Sequence, residues 1–198
     1  MGDVRSICIF CGSRPGARPE YAEAATALGT ELGRRGLTLV YGGASVGLMG
    51  TVAAATLASG GKVVGVLPHF MGAREIAHLG LTELVRVDSM HERKALMASR
   101  SDAFLALPGG FGTLDELFEI VTWAQLGLHK KPMGLLDTRG FFQPLVTLAR
   151  HMADEGFVPV EQALPFAVSE SPSELVDRLL AGPTLTVTEK WLKRPEQT

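Results

Sequence analysis

Two segments of the 198-residue chain hold most of the side chains able to do chemistry. Pro108-Gly-Gly-Phe-Gly-Thr-Leu-Asp-Glu116 sets three glycines ahead of a threonine and two carboxylates. Ser89-Met-His-Glu-Arg-Lys94 sets two adjacent cations in the first turns of a helix. Thr113-x-x-Glu116 reads as a capping box, in which two side chains satisfy the orphan N–H groups of a helix start. Ser171-Pro-Ser-Glu174 has the same form without glycines, and a cap alone accounts for it. Around the first box, Gly109, Gly110 and Gly112 allow positive φ and close backbone approach, which sets Glu116 one turn inside an anion site whose dipole keeps the carboxylate ionised. A charged carboxylate beside a sugar phosphate suits activation of water or stabilisation of a cationic transition state. Arg93 and Lys94 oppose the dipole of the helix they open, so a ligand, a carboxylate partner or a solvated basic turn must account for them. His91 is not assigned a general-base role, because its neighbour Arg93 points elsewhere on the helix.

Two further clusters, Cys11-Gly-Ser-Arg-Pro-Gly16 and Gly42-Gly-Ala-Ser-Val-Gly47, also follow apolar runs and lead into helical patterns. Free N–H groups and the dipole at a helix N-terminus attract phosphate. Three such loops at one sheet edge point to a phosphorylated ligand, with Ser13, Gly43, Gly47 and Gly109 as candidates for its cradle. Spacing excludes a P-loop, since no cluster is followed by the Lys and Ser/Thr pair that it needs. Gly42-x-Ala44-x-x-Gly47 approaches a dinucleotide fingerprint but follows the second strand, and Val66-Leu67-Pro68 lacks the acidic residue for a ribose. Cys8 and Cys11 form a C-x-x-C pair, but Cys8 lies inside an apolar run, which predicts two buried thiols instead of a redox or zinc site.

The elements that must position these groups alternate. Short apolar runs at 4–10, 37–41, 62–67, 82–87, 103–107, 132–136 and 164–168 predict strands. Helical spacing covers 20–35, 48–59, 90–101, 113–128, 141–155 and 173–180. That order predicts a single Rossmann-like, doubly wound α/β domain with a mostly parallel sheet over residues 1–182, and a tail at 183–198. Residues 68–80 form the longest irregular connection.

Composition narrows the partners. Nineteen Lys and Arg against 21 Asp and Glu give a net charge of −2, without the basic clusters a nucleic-acid binder needs. No apolar run reaches the ~18 residues of a membrane span, and the first ten residues read as a strand instead of a signal peptide. The expectation is a cytoplasmic protein. Metal ligands at metal-binding spacing are absent from the sequence, so no metal or cofactor is expected.

The paired motifs resemble those of the LONELY GUY (LOG) family: Pro108 to Glu116 matches its PGGxGTxxE motif, and Met90-His-Glu-Arg-Lys94 the basic motif before it. The likeness continues through Phe10-Cys-Gly-Ser13, Tyr41-Gly-Gly43, Gly47-Leu-Met-Gly50 and Trp123-Ala-Gln-Leu-Gly127. The family's members are cytokinin riboside 5′-monophosphate phosphoribohydrolases, sometimes mislabelled lysine decarboxylases. The resemblance implies a homodimer that cleaves the N-glycosidic bond of N6-modified adenosine monophosphates to free base and ribose 5-phosphate. It also implies Arg93 and Glu116 as the catalytic pair. By the same likeness, substrate contacts fall on Glu75, Arg93 and Lys94, on Gly110, Phe111, Gly112, Thr113, Leu114, Asp115 and Glu116, and on Thr122. Glycosidic cleavage passes through an oxocarbenium-like transition state that a fixed carboxylate stabilises, a task for Glu116. Guanidinium does not give up its proton, which leaves Arg93 an electrostatic and positioning role. The rival is a nucleotide or phosphate-ligand carrier, for which the same loops would bind without turnover.

Overall fold

Apolar runs such as Ile7-Cys-Ile-Phe10 and Ala103-Phe-Leu-Ala106 lack polar alternation, the pattern of strands covered on both faces. The structure, a computed structural model, describes residues 4–71 and 77–182. In it these runs are the central strands of a seven-stranded sheet. The strands are β1 (Ser6–Phe10), β2 (Thr38–Tyr41), β3 (Lys62–Pro68), β4 (Glu83–Val87), β5 (Ala103–Ala106), β6 (Met133–Leu136) and β7 (Ala167–Ser169). The helices are α1 (Pro19–Arg34), α2 (Gly47–Ala58), α3 (Met90–Ser99), α4 (Phe111–Gln125), α5 (Gln143–Asp154) and α6 (Pro172–Ala181). The order across the sheet is β4-β3-β2-β1-β5-β6-β7, with every strand pairing parallel. The expected mostly parallel α/β sheet is thus entirely parallel in its named strands, and an isolated antiparallel bridge joins Ala44 to Ala77. The tail at 183–198 lies outside the described residues.

Most expected boundaries shift by a residue or more, and two of the shifts are instructive. β7 begins at Ala167, three residues after the expected start, because its pairing with β6 runs only from Ala167 to Ser169. α4 begins at Phe111 instead of Thr113, which matters for the site.

β1 lies between β2 and β5, the point where the winding reverses. Loops leaving neighbouring strands diverge there and open a crevice at the carboxyl edge. Gly12 ties the walls of that crevice together: its N–H donates to Pro108 O at 3.1 Å, and its carbonyl accepts from Leu48 N–H at 3.1 Å. Beneath it, Cys8 and Cys11 are free and buried, and burial pushes both thiols well above the ordinary range. Neither is poised for redox chemistry.

One core layer packs Leu28, Leu32 and Val52 on one sheet face, and the other packs Phe104, Leu117 and Phe142 on the opposite face. α1 meets α2 at Gly29, where an added Cβ would stand 2.5 Å from Val52 O and 2.8 Å from Ala55 Cβ. Backbone cannot yield there as a flexible side chain would. Gly29→Val is therefore expected to lower stability by about 1–3 kcal/mol through overpacking. Urea denaturation checks this, with a lower midpoint at unchanged slope as the expected result.

Candidate active site

α4 sets the geometry. Its N-cap is Gly110, in extended conformation (φ −93°, ψ −157°), which makes no side-chain cap hydrogen bond. The capping box expected for Thr113 and Glu116 does not form, because the helix starts two residues earlier and leaves Thr113 in its first turn and Glu116 in its second. The caps occur elsewhere. Ser89 Oγ accepts from Glu92 N–H at 3.1 Å while the Glu92 carboxylate accepts from Asp88 N–H at 2.8 Å, and Ser171 Oγ accepts from Glu174 N–H at 3.4 Å. Among the described residues, the first N–H groups of α4 thus have no side-chain cap.

The glycines before it serve different ends. None of Gly109, Gly110 and Gly112 has the positive φ expected of them. A Cβ on Gly109 would collide with the Thr113 hydroxyl, a packing constraint, whereas one on Gly110 or Gly112 would meet nothing within 4 Å. Open space lies in front of the helix start.

One turn further on, Glu116 forms a buried ion pair: Arg93 Nη1 stands 3.0 Å from its Oε1, with the two side chains 9% and 10% exposed. Arg93 comes from α3, and its Nε donates to Val66 O at the end of β3 at 3.2 Å. Its guanidinium lies against Gly42, where any Cβ would overlap Nη2. Among the described residues no donor reaches Glu116 Oε2, and Glu116 lines the crevice. Burial pushes its pKa up, Arg93 opposes the shift, and Asp115 adds to it.

The adjacent cation is used differently. Lys94 Nζ sits 3.2 Å from both Asp115 Oδ2 and Glu119 Oε1, binding α3 to α4. Burial lowers its pKa, but the hydrogen bonds to Asp115 and Glu119 outweigh that and raise it overall. Both cations therefore have carboxylate partners.

These groups surround a crevice of about 690 Å³, whose wall includes Ser13, Arg93, Gly109, Gly110, Phe111, Gly112, Thr113 and Glu116. Lys94, Leu114 and Asp115 lie outside that wall. Thr122 is exposed further along α4, its hydroxyl donating to Phe118 O at 2.7 Å. Gly43 accepts from His78 N–H at 3.0 Å, and Gly47, at φ 58°, packs against the Ser13 and Arg14 backbone. Glu75 lies outside the described residues. His91 is exposed. Sequence reasoning missed Tyr21 and Phe141, and named Arg14 and Met90 only as members of their motifs; all four line the crevice. Phe141 follows β6 at the carboxyl edge, and that position was its available clue. A second cavity, of about 650 Å³, lies by β6, β7, α5 and α6, and no carboxylate lines it. Among the described residues no group of His, Cys, Asp and Glu is placed to hold a metal, and no helix is long and apolar enough to cross a membrane.

Fold and site together define a doubly wound α/β protein with an uncapped helix end and a buried Arg–Glu pair. A family model described as "Possible lysine decarboxylase" matches residues 49–179. The cytokinin riboside 5′-monophosphate phosphoribohydrolase of Rhodococcoides fascians is 53% identical, over 78% of this chain and 78% of that protein. The enzyme LOG5 of Arabidopsis thaliana, with the same activity in its name, is 47% identical over 89% of this chain and 78% of its own length. The chain belongs to the LOG family. Among solved structures, the molybdenum cofactor carrier protein from Chlamydomonas reinhardtii superposes with a TM-score of 0.68 at 22% identity, covering 90% of this chain and 99% of that one. That likeness establishes the fold alone.

Because burial raises the Glu116 carboxyl, its titration is expected to have a midpoint above the ~4.3 of an unperturbed glutamate. As pH falls through that midpoint, the carboxylate and its pairing with Arg93 are lost together. Asp115→Asn removes a charge that pushes the pKa up, so the midpoint should fall. Carboxyl-resolved carbon NMR measures both, and a wild-type midpoint at or below the ordinary value would contradict the assignment.

Proposed function

We propose that this protein hydrolyses the N-glycosidic bond of N6-modified adenosine 5′-monophosphates, releasing the base and ribose 5-phosphate, with Arg93 and Glu116 as its catalytic pair. The observation that carries the reading is the buried Arg93–Glu116 pair one turn inside an uncapped helix end. The relatives' shared activity supports it. Uncapped N–H groups suit a phosphate, and the open space at Gly110 and Gly112 suits a ligand close to backbone. As the glycosidic bond breaks, positive charge develops on the ribose, and the Glu116 carboxylate both stabilises it and takes the proton of the attacking water. A raised pKa makes it a stronger base. Arg93 holds Glu116 by Nη1 and is itself held by Val66 O, which fixes the carboxylate before charge develops. Tyr21, Phe111 and Phe141, with Met49 and Met90, offer an apolar wall for a purine and its N6 substituent.

Two other readings fit less well. A carrier gains nothing from a buried carboxylate beside an anionic ligand, where repulsion weakens binding. A pyridoxal decarboxylase needs a lysine that becomes a neutral amine, whereas Lys94 is clamped by Asp115 and Glu119 and its pKa is raised.

The proposal extends to a cytoplasmic homodimer. Phe118, Leu126 and Leu128 are exposed, Phe118 on α4 and Leu126 and Leu128 just past it, and Thr122 shares the stripe of Phe111 and Phe118 by helical spacing. Such a face suits a second copy, and would bring Thr122 to the partner's crevice. Sedimentation should find a dimer at micromolar concentration, shifted toward monomer by Phe118→Glu. A wild-type monomer would remove this part.

The activity test is direct. Incubation with N6-isopentenyladenosine monophosphate should release free base, and Glu116→Gln should lower kcat at least about a hundredfold, since the amide still accepts from Arg93 but carries no charge. N6-isopentenyladenosine, without the phosphate, should be about a hundredfold poorer in kcat/KM. Absence of base release by the wild type would overturn the reading.

A further inference from the structure

Among the described residues, the charges around the crevice leave one group unused. Arg93 is neutralised by Glu116, and Lys94 by Asp115 and Glu119, so neither offers an uncommitted positive charge. Among the described residues that line the crevice, the remaining cation is Arg14, which is exposed and has no carboxylate partner. Its backbone is not loose. Ser13 and Arg14 pack against Gly47, whose φ of 58° and lack of a side chain allow the approach. Two residues earlier, Gly12 donates to Pro108 O at 3.1 Å, and a Cβ on it would lie 3.4 Å from Gly109 Cα, directly before the N-cap of α4. Arg14 is therefore presented from a fixed loop beside the uncapped helix end.

We infer that Arg14 is a phosphate-binding residue that completes, with the N-terminus of α4, the recognition of the substrate's 5′-phosphate. The inference rests on the hydrolase reading for its substrate, while its geometry stands on the crevice alone. A helix end supplies about half a positive charge and a phosphate monoester carries up to two negative ones, so the dipole alone leaves the anion undercompensated. A guanidinium fork adds a full charge and a bidentate donor set matched to phosphate oxygens. With no carboxylate partner among the described residues, Arg14 gives up no ion pair of theirs when the ligand arrives.

The test compares Arg14→Gln and Arg14→Lys with the wild type on N6-isopentenyladenosine monophosphate and on the nucleoside. Arg14→Gln should lower kcat/KM for the monophosphate about tenfold or more and leave the nucleoside unchanged, while Arg14→Lys retains part of the preference. Calorimetry with adenosine monophosphate should show binding weakened by a similar factor, and the wild-type affinity should fall more steeply with salt than that of Arg14→Gln. An unchanged ratio of monophosphate to nucleoside, with unchanged nucleotide affinity, overturns the role of Arg14. A wild type that hydrolyses neither substrate, alongside weakened nucleotide binding by Arg14→Gln, overturns the hydrolase reading and leaves the phosphate contact standing. Equal losses on both substrates would assign Arg14 to loop structure and also overturn the proposal.

Discussion

The buried ion pair between Arg93 and Glu116 is the constraint around which the carboxyl edge of this sheet is built. Taking two charges out of water is costly, and attraction repays it only where geometry is good and the remaining donors are used. Here one guanidinium is claimed three ways: Nη1 by Glu116, Nε by Val66 O, and its surface by the bare backbone of Gly42. Those contacts come from α4, from the end of β3 and from the end of β2. Removing either charge leaves the other buried, a loss of about 3–5 kcal/mol in comparable settings. The same pair that holds the elements in register also fixes the carboxylate.

Lys94, next in the chain, shows how the register is protected. It faces α4 through Asp115 and Glu119 while Arg93 turns inward, so the first turns of α3 are held to α4 at two places. The unfavourable position of two cations at a helix N-terminus is thereby offset by three carboxylates of the neighbouring helix. α3 opens on a serine cap that satisfies its own N–H groups, whereas α4 leaves its first turn to whatever enters the crevice. One helix end is closed and the other open.

The scaffold does not dictate this use. A molybdenum cofactor binding protein and a molybdenum cofactor carrier protein share its fold at 19% and 22% identity. Binding loops at a switch point are a property of the fold, and turnover needs a group that acts on the bound ligand. In the proposed reaction that group is the Glu116 carboxylate, whose burial raises its pKa and whose orientation is set by an arginine.

The sequence by itself determined the alternation of strands and helices, because a parallel sheet demands continuous apolar runs and its covering helices demand an amphipathic period. It also determined which segments carry chemistry, since the Pro108 to Glu116 and Met90 to Lys94 motifs are local. Their meaning was not local. Thr113-x-x-Glu116 has the letters of a capping box, yet the chain begins its helix at Phe111 and sends Glu116 to an arginine on another helix. Glycine at 42 looked like part of a phosphate loop and is instead the flat seat of a guanidinium. Tyr21 and Phe141 carried no motif, Arg14 was only one residue of a glycine loop, and the folding of loops after β1 and β6 and the first turn of α1 around one crevice brought them together. Propensity and period act over a few neighbouring residues and can be read along a chain. Ion pairing, desolvation and crevice walls depend on distances between segments far apart in sequence, and the packed sheet alone sets those.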